Sequence, residues 1–146
     1  MPQQTSLSKL LILREREKDD AQKAYHLSME TFEDVASKLY KLLKRKENVE
    51  EEQDTILQTK ITIEQLRIQN AYIEKLTKQI AKIQNEVQIA RNDMELKQSQ
   101  LTDAYIEMKK YEKIIELQEE EEKKKIKHNE NMAMDEISMR QYISTR

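Results

Sequence analysis

The chain contains no glycine and only one proline, Pro2, among its 146 residues. Glycine reaches positive φ at tight turns without a Cβ clash, so a chain that lacks it cannot easily make several such turns. Residues that lose little conformational freedom in a helix, such as Glu, Lys, Leu and Gln, dominate instead. This combination predicts long α-helices or a coiled coil, not a globular domain with many turns.

Charged residues make up 37% of the chain, a proportion that is also typical of disordered proteins. The apolar residues argue against disorder, because they recur at regular intervals. The net charge of −2 does not favour nucleic-acid binding, and the absence of cysteine excludes disulfides and thiolate metal sites. No apolar run approaches the ~20 residues of a membrane helix, and charged residues follow the short run Leu10–Leu13 at once. We therefore expect a cytoplasmic protein without a signal peptide and without direct membrane insertion.

Apolar residues in the first part of the chain alternate at spacings of four and three, the pattern of a heptad repeat. Ten of the fifteen positions in this pattern are apolar and the spacing never slips. We call this set seam one: Leu7, Leu11, Arg14, Lys18, Ala21, Tyr25, Ser28, Phe32, Val35, Leu39, Leu42, Lys46, Val49, Gln53 and Ile56.

A second pattern of the same kind follows, with thirteen apolar residues in fifteen positions. We call this set seam two: Leu66, Gln69, Ile73, Leu76, Ile80, Ile83, Val87, Ala90, Met94, Lys97, Leu101, Ala104, Met108, Tyr111 and Ile115.

Local signals between the two seams indicate that one helix ends and another begins. The segment 57–63 is rich in β-branched residues, which are poorer helix formers. Thr62 and Gln65 fit a capping box, and Ile61 and Leu66 occupy the positions of a hydrophobic staple. The alternative is one continuous helix, in which this Thr-x-x-Gln occurs by chance.

Two seams of matched length around a turn predict an all-α fold: a long two-helix antiparallel coiled-coil hairpin forming a single domain over residues 1–146. We expect helix one over about 6–57, a turn over about 58–62 and helix two over about 63–142. In this arrangement Leu7 lies beside Tyr111 or Ile115, and Lys46 approaches Glu74.

The C-terminal helix is expected to overhang the end of the first, because seam two stops near residue 115. Glu119, Glu120 and Glu121 each precede a lysine by four residues, a spacing that supports an isolated helix through ion pairs. Apolar residues return between Met132 and Tyr142. That last stretch is either a docking segment or a frayed tail.

Nothing in the sequence indicates catalysis, a cofactor or a metal site. Phosphate-binding and dinucleotide-binding loops need glycines, and His26 and His128 have no second histidine three or four residues away. The basic cluster Lys41, Lys44, Arg45 and Lys46 is interpreted as a solvated face and not as a nucleic-acid site, since acidic residues follow it directly. Tyr72 lies just outside seam two and either covers the core or anchors a partner.

Several short segments together resemble the FliJ family of bacterial flagellar export proteins. Glu17–Ala21 followed by Tyr25 is similar to the acidic and alanine opening of the family. Val35–Tyr40, Gln69–Leu76 and Met134–Glu136 resemble its first arm, the opening of its second helix and its C-terminal Met-Asp-Glu. The resemblance covers nearly the whole chain and depends on the order and spacing of these segments.

The resemblance implies a non-enzymatic stalk in the cytoplasmic part of the flagellar type III export apparatus, peripherally associated with the membrane at the flagellar base. Its implied partners are the hexameric export ATPase, the export gate membrane protein and the chaperones of export substrates. Two positions match the family's gate-binding aromatic and leucine, and five lie at the end expected to meet the ATPase. These are Tyr72 and Leu76 for the gate, and Asp19, Asp20, Met134, Asp135 and Glu136 for the ATPase.

A structural scaffold that dimerises through both seams is the alternative function. It would follow if residues 58–62 were helical, because one continuous rod must cover its seams with a second copy. The hairpin interpretation instead predicts a chain that is monomeric by itself.

Overall fold

The computed structural model describes the backbone of residues 2–58 and 62–145 and the side chains of residues 6–58 and 62–145. Within these ranges the chain forms two helices and no strand. Helix α1 is Pro2–Leu57 and helix α2 is Ile63–Ser144. The two helices pack against each other as an all-α antiparallel hairpin, and this confirms the predicted fold class.

The two seams form the contact between the helices. All fifteen residues of seam one and all fifteen of seam two are buried or half-buried, whereas most of the positions between them are exposed. A heptad repeat keeps one narrow stripe of each helix turned toward its partner, so the core is a line of side chains and not a wide interior. The most buried apolar residues all belong to seam two: Leu76, Ile80, Ala90 and Met108.

The chain divides into two compact units. The terminal unit comprises Met1–Asp19 and Asp103–Arg146, and the hairpin unit comprises Asp20–Thr102. The prediction of one domain over the whole chain stays a prediction.

Contacts in the hairpin unit define which residues of α1 and α2 lie side by side. The Gln53 side-chain amide donates a hydrogen bond of 2.8 Å to the side-chain oxygen of Asn70. Farther from the turn, the Arg91 guanidinium lies 5.6 Å from the centre of the Phe32 ring, within reach of a cation–π contact. The helices are therefore antiparallel and in one continuous register between these two contacts.

This register corrects one predicted contact. Lys46 is 3.8 Å from Glu50 on its own helix, and Glu74 is 3.8 Å from Lys78, so the expected pairing of Lys46 with Glu74 does not form. Counting seven residues back from Gln53 and seven forward from Asn70 places Lys46 across from Thr77, nearly one turn past Glu74. The prediction was wrong because the sequence left the offset between the seams open by a few residues.

The beginning of α2 has one half of the predicted capping box, the half made by the Thr62 hydroxyl. The Thr62 hydroxyl accepts a hydrogen bond of 3.3 Å from the backbone N–H of Gln65, and the Thr62 carbonyl accepts one of 3.1 Å from Leu66. The first bond satisfies the N–H of Gln65, one of the groups that the first turn of a helix leaves without an intrahelical partner, and the second is the first intrahelical bond of α2. Ile61, the other half of the predicted staple, lies outside the described residues.

The terminal unit is also antiparallel, and a polar contact lies in its seam. Leu7 and Ile115 line one small cavity of about 110 Å³, as predicted for their pairing. Arg14 contacts both carboxylate oxygens of Glu17, at 2.9 and 3.1 Å, and its guanidinium lies 5.3 Å from the centre of the Tyr111 ring. The hydrogen bond with Glu17, and then the contact with Tyr111, raises the pKa of Arg14 above its ordinary value.

Replacing Leu76 by alanine tests the seam as the source of stability. Leu76 is only 1% exposed, so Leu76→Ala removes fully buried methyl groups and should lower the free energy of unfolding by about 2–5 kcal/mol. Leu96 lies on the same helix and is 53% exposed, so Leu96→Ala should change it by less than about 0.5 kcal/mol. Urea unfolding followed by circular dichroism measures both, and equal losses would contradict the seam as described.

The cap at Thr62 gives a second prediction. Thr62→Ala removes the hydroxyl that accepts from Gln65 and should destabilise the protein by about 0.5–2 kcal/mol in the same unfolding measurement. Thr62→Ser keeps an accepting hydroxyl and should restore most of that loss. If serine and alanine behave alike, the hydroxyl does not cap α2.

Candidate functional site

The C-terminal end of α2 is the most exposed part of the structure. Every side chain from Lys123 to Thr145 is exposed, so no described side chain of α1 covers this segment. We call residues 123–145 the overhang. The expected ion pairs of Glu119, Glu120 and Glu121 with lysines four residues later are not formed, as is usual for solvated side chains whose pairing contributes little.

The overhang presents large apolar side chains on a helix. Six of them lie in its last part and are between 51% and 68% exposed. They are Met132, Met134, Ile137, Met139, Tyr142 and Ile143. Methionine is flexible and polarizable, so a surface rich in it can adapt to partners of different shape.

The structure separates the residues predicted to form one partner-binding end. Met134 is 65% exposed, and Asp135 and Glu136 beside it are exposed as well. Asp19 is exposed and lies 2.9 Å from Lys18 on α1. Since Arg14 contacts Tyr111, and Asp135 follows Tyr111 by 24 residues, about 36 Å of helix separate Asp135 from the level of Arg14. Asp19 lies on the other side of that level, so one small site cannot contain both groups.

Asp20 is exposed too and belongs to the hairpin unit. Its role, like those of Asp19, Met134, Asp135 and Glu136, stays a prediction.

Tyr72 and Leu76 lie one turn apart on α2, but their environments differ. Tyr72 is 40% exposed, whereas Leu76 is the most deeply buried large side chain of the described residues. A partner that docks on the closed hairpin can therefore contact Tyr72 directly, but it cannot reach Leu76. The assignment of both residues to one gate-binding site stays a prediction. If they share a site, Leu76 can contribute only by supporting the surface around Tyr72.

A basic groove runs along the hairpin unit, and only its α1 residues stand out as a basic cluster in the sequence. The groove has a volume of about 470 Å³ and takes residues from both helices. Its lining is Lys38, Lys41, Leu42 and Arg45 from α1, and Gln79, Lys82, Ile83 and Glu86 from α2. The sequence prediction of a solvated face covers only the α1 cluster.

The composition of two segments, one in each helix, indicates the basic groove. Residues 35–46 and 75–85 together contain eight basic residues and no acidic one, in a chain whose net charge is −2. The antiparallel register brings the two segments to the same level. Their composition predicts a single groove only when the register between the two helices is known.

Among the described residues no group of three or more His, Cys, Asp or Glu side chains is arranged to hold a metal ion. None of the described helical segments is long and apolar enough to cross a membrane.

These features define a class of protein: a two-helix antiparallel coiled coil with an exposed helical end and a basic groove along its hairpin unit. A family model described as "Flagellar FliJ protein" matches residues 3–146. A curated relative, "Flagellar FliJ protein" of Bacillus subtilis (strain 168), is 35% identical over 143 residues, which are 98% of this chain and 97% of the relative. No solved structure matches the chain. The chain belongs to the FliJ family of flagellar proteins, which confirms the family suggested by its sequence.

Proposed function

We propose that this flagellar protein is a non-enzymatic stalk of the type III export apparatus, acting in the cytoplasm at the membrane beneath the flagellum. It binds the export ATPase through the overhang and promotes assembly and activity of the ATPase ring. It contacts the export gate protein near Tyr72 and escorts the chaperones that deliver export substrates. The observation that carries this proposal is the exposed apolar end of α2, together with membership of the FliJ family.

The overhang supports an interaction with a protein because it combines helical structure with unburied apolar area. Each of its larger apolar side chains can gain about 1.5–3 kcal/mol when it moves from water into a partner's pocket. The helix is already formed, so less conformational entropy is lost on docking than for a disordered tail. These two features suit insertion into a preformed cavity such as the centre of a ring.

The gate contact is proposed for Tyr72 and not for Leu76 itself. Aromatic side chains that are partly exposed on a rigid element are common anchors of protein interfaces. Burial of Leu76 fixes the helix face from which Tyr72 projects. Leu76 therefore contributes to the contact by positioning, and its loss would act mainly through stability.

The stalk is favoured over a scaffold that dimerises through its seams. Seam one and seam two are both covered inside the chain, so a second copy finds no open seam. A scaffold of that kind would first have to separate α1 from α2, at the cost of the stability of the hairpin.

Hydrolysis of ATP by the cognate flagellar export ATPase is the first test. A substoichiometric amount of this chain should raise the rate of hydrolysis and the light-scattering mass of the ATPase. Truncation after Lys125 removes most of the overhang and should abolish most of both effects. The truncated chain should unfold at nearly the same temperature as the full chain, because the deleted side chains are exposed. Stimulation that survives this truncation would exclude the overhang as the ATPase-binding end.

Binding to the cytoplasmic part of the export gate protein is the second test. Tyr72→Ala should weaken this binding by at least about tenfold, as expected for an aromatic anchor. Tyr40→Ala is the matched control, because Tyr40 is 67% exposed and lies on a different side of the hairpin unit, directly after the seam residue Leu39. Calorimetry measures both affinities. Equal effects of the two substitutions would contradict a specific role for Tyr72.

A further inference from the structure

The basic groove contains cations that have no ion-pair partner among the described residues. Lys38, Lys41, Arg45 and Lys82 all line it, and none of them forms an ion pair within the described residues. Glu86 is the single carboxylate in the lining. By contrast, Lys44 and Lys46, which lie between these cations in the sequence, pair with Glu47 and Glu50 on their own helix. The groove therefore has uncompensated positive charge above an apolar floor.

An acidic groove lies next to it toward the turn. It has a volume of about 420 Å³ and is lined by Asn48, Glu51, Glu52, Thr55 and Ile56. The carboxylates of Glu51 and Glu52 are exposed, and within the described residues neither forms an ion pair. The hairpin unit thus has two neighbouring grooves of opposite charge and similar size.

Both grooves open on the same side of α1. Glu52 follows Arg45 by seven residues, and Asn48 follows Lys41 by seven, so each pair occupies the same position of the heptad repeat. Lys41 and Glu51 are ten residues apart, which corresponds to about 15 Å along the helix. We call this side of the hairpin unit, with its basic and acidic grooves, the charged face.

We propose that the charged face binds a second copy of this chain. Two copies can face each other across a two-fold axis that lies in the interface, between the two grooves and perpendicular to the helices. The acidic groove of each copy then lies over the basic groove of the other copy. Such a two-fold interface contains every contact twice, so the charges of each copy neutralise the opposite charges of the other copy. The seams stay closed inside each copy, so this dimer differs from a scaffold that pairs through its seams.

Several observations favour a second copy over another occupant. The face carries both signs of charge in two adjacent grooves, whereas a purely acidic segment or an anionic lipid surface would match only the basic half. The same side also carries a partly exposed aromatic residue, because Tyr72 precedes the groove residue Gln79 by seven residues and so shares its heptad position. Aromatic residues near the centre of an interface provide apolar area that charges alone do not.

The dimer would have a regulatory consequence that depends on the proposed gate contact. If Tyr72 binds the gate, self-association covers Tyr72 and competes with that contact. The chain could then be stored as a dimer and become active as a monomer. The dimer itself is tested without the gate or the ATPase, so its failure is distinguishable from failure of the proposed function.

Reversed charges on the charged face provide the test. Lys41→Glu with Arg45→Glu makes both grooves acidic, and Glu51→Lys with Glu52→Lys makes both basic. Sedimentation velocity of the wild-type chain at low salt should show a concentration-dependent dimer, whose dissociation constant rises at least about tenfold in 0.5 M salt through screening. Each double variant alone should be monomeric, and an equimolar mixture of the two should dimerise again.

A matched control changes the net charge by the same amount elsewhere. Lys9→Glu with Lys23→Glu alters two exposed lysines that line neither groove, and this variant should dimerise like the wild type. Lys41→Gln with Arg45→Gln removes the cations without adding carboxylates, and it should also weaken the dimer. This variant provides the test if the glutamate variant fails to fold. A wild-type chain that stays monomeric up to about 1 mM would overturn the proposal. So would a mixture of the reversed variants that remains monomeric.

Discussion

Every outward surface of this protein depends on how seam one meets seam two. In each unit the apolar stripes of α1 and α2 bury one another, and little else holds the helices together. Because the side chains of a heptad repeat occupy fixed positions around the helix, closing the seam also fixes which residues lie beside it and which face water. The exposure of Tyr72, the line of cations from Lys38 to Arg45 and the position of Glu52 all follow from that contact.

Polar groups in or beside the seam favour the register at which it closes. Apolar side chains tolerate sliding by one heptad, since one leucine replaces another at similar free energy. The hydrogen bond between Gln53 and Asn70 and the contact of Arg14 with the Tyr111 ring form only in one alignment. Because sliding one helix past the other would break these contacts, they favour the observed register over its neighbours even where they add little net stability.

The sequence was enough to predict those features that depend on one helix at a time. Local spacing and composition are sufficient to predict the two seams, the cap at Thr62 and the exposed apolar residues of the C-terminal end. Contacts across the helices were harder: Lys46 was predicted beside Glu74 because a shift of three residues leaves both seams equally apolar. The basic groove was missed for the same reason, since Lys82 joins Arg45 only in the correct register. Leu76 and Tyr72 show a third limit of prediction from sequence. The two residues match one family motif, but Leu76 is buried and Tyr72 is exposed.

A closed seam leaves this protein only its other surfaces for binding. Residues that stabilise the hairpin and residues that contact partners must then occupy different heptad positions, apart from the overhang, where no second helix competes for the apolar side chains. Substitutions at the charged face or in the overhang can therefore change binding with little effect on unfolding, whereas substitutions in the seam change both. A variant such as Leu76→Ala that loses a partner gives no information about the interface until its stability is known. The separation of the two kinds of position makes the proposed binding surfaces testable one at a time.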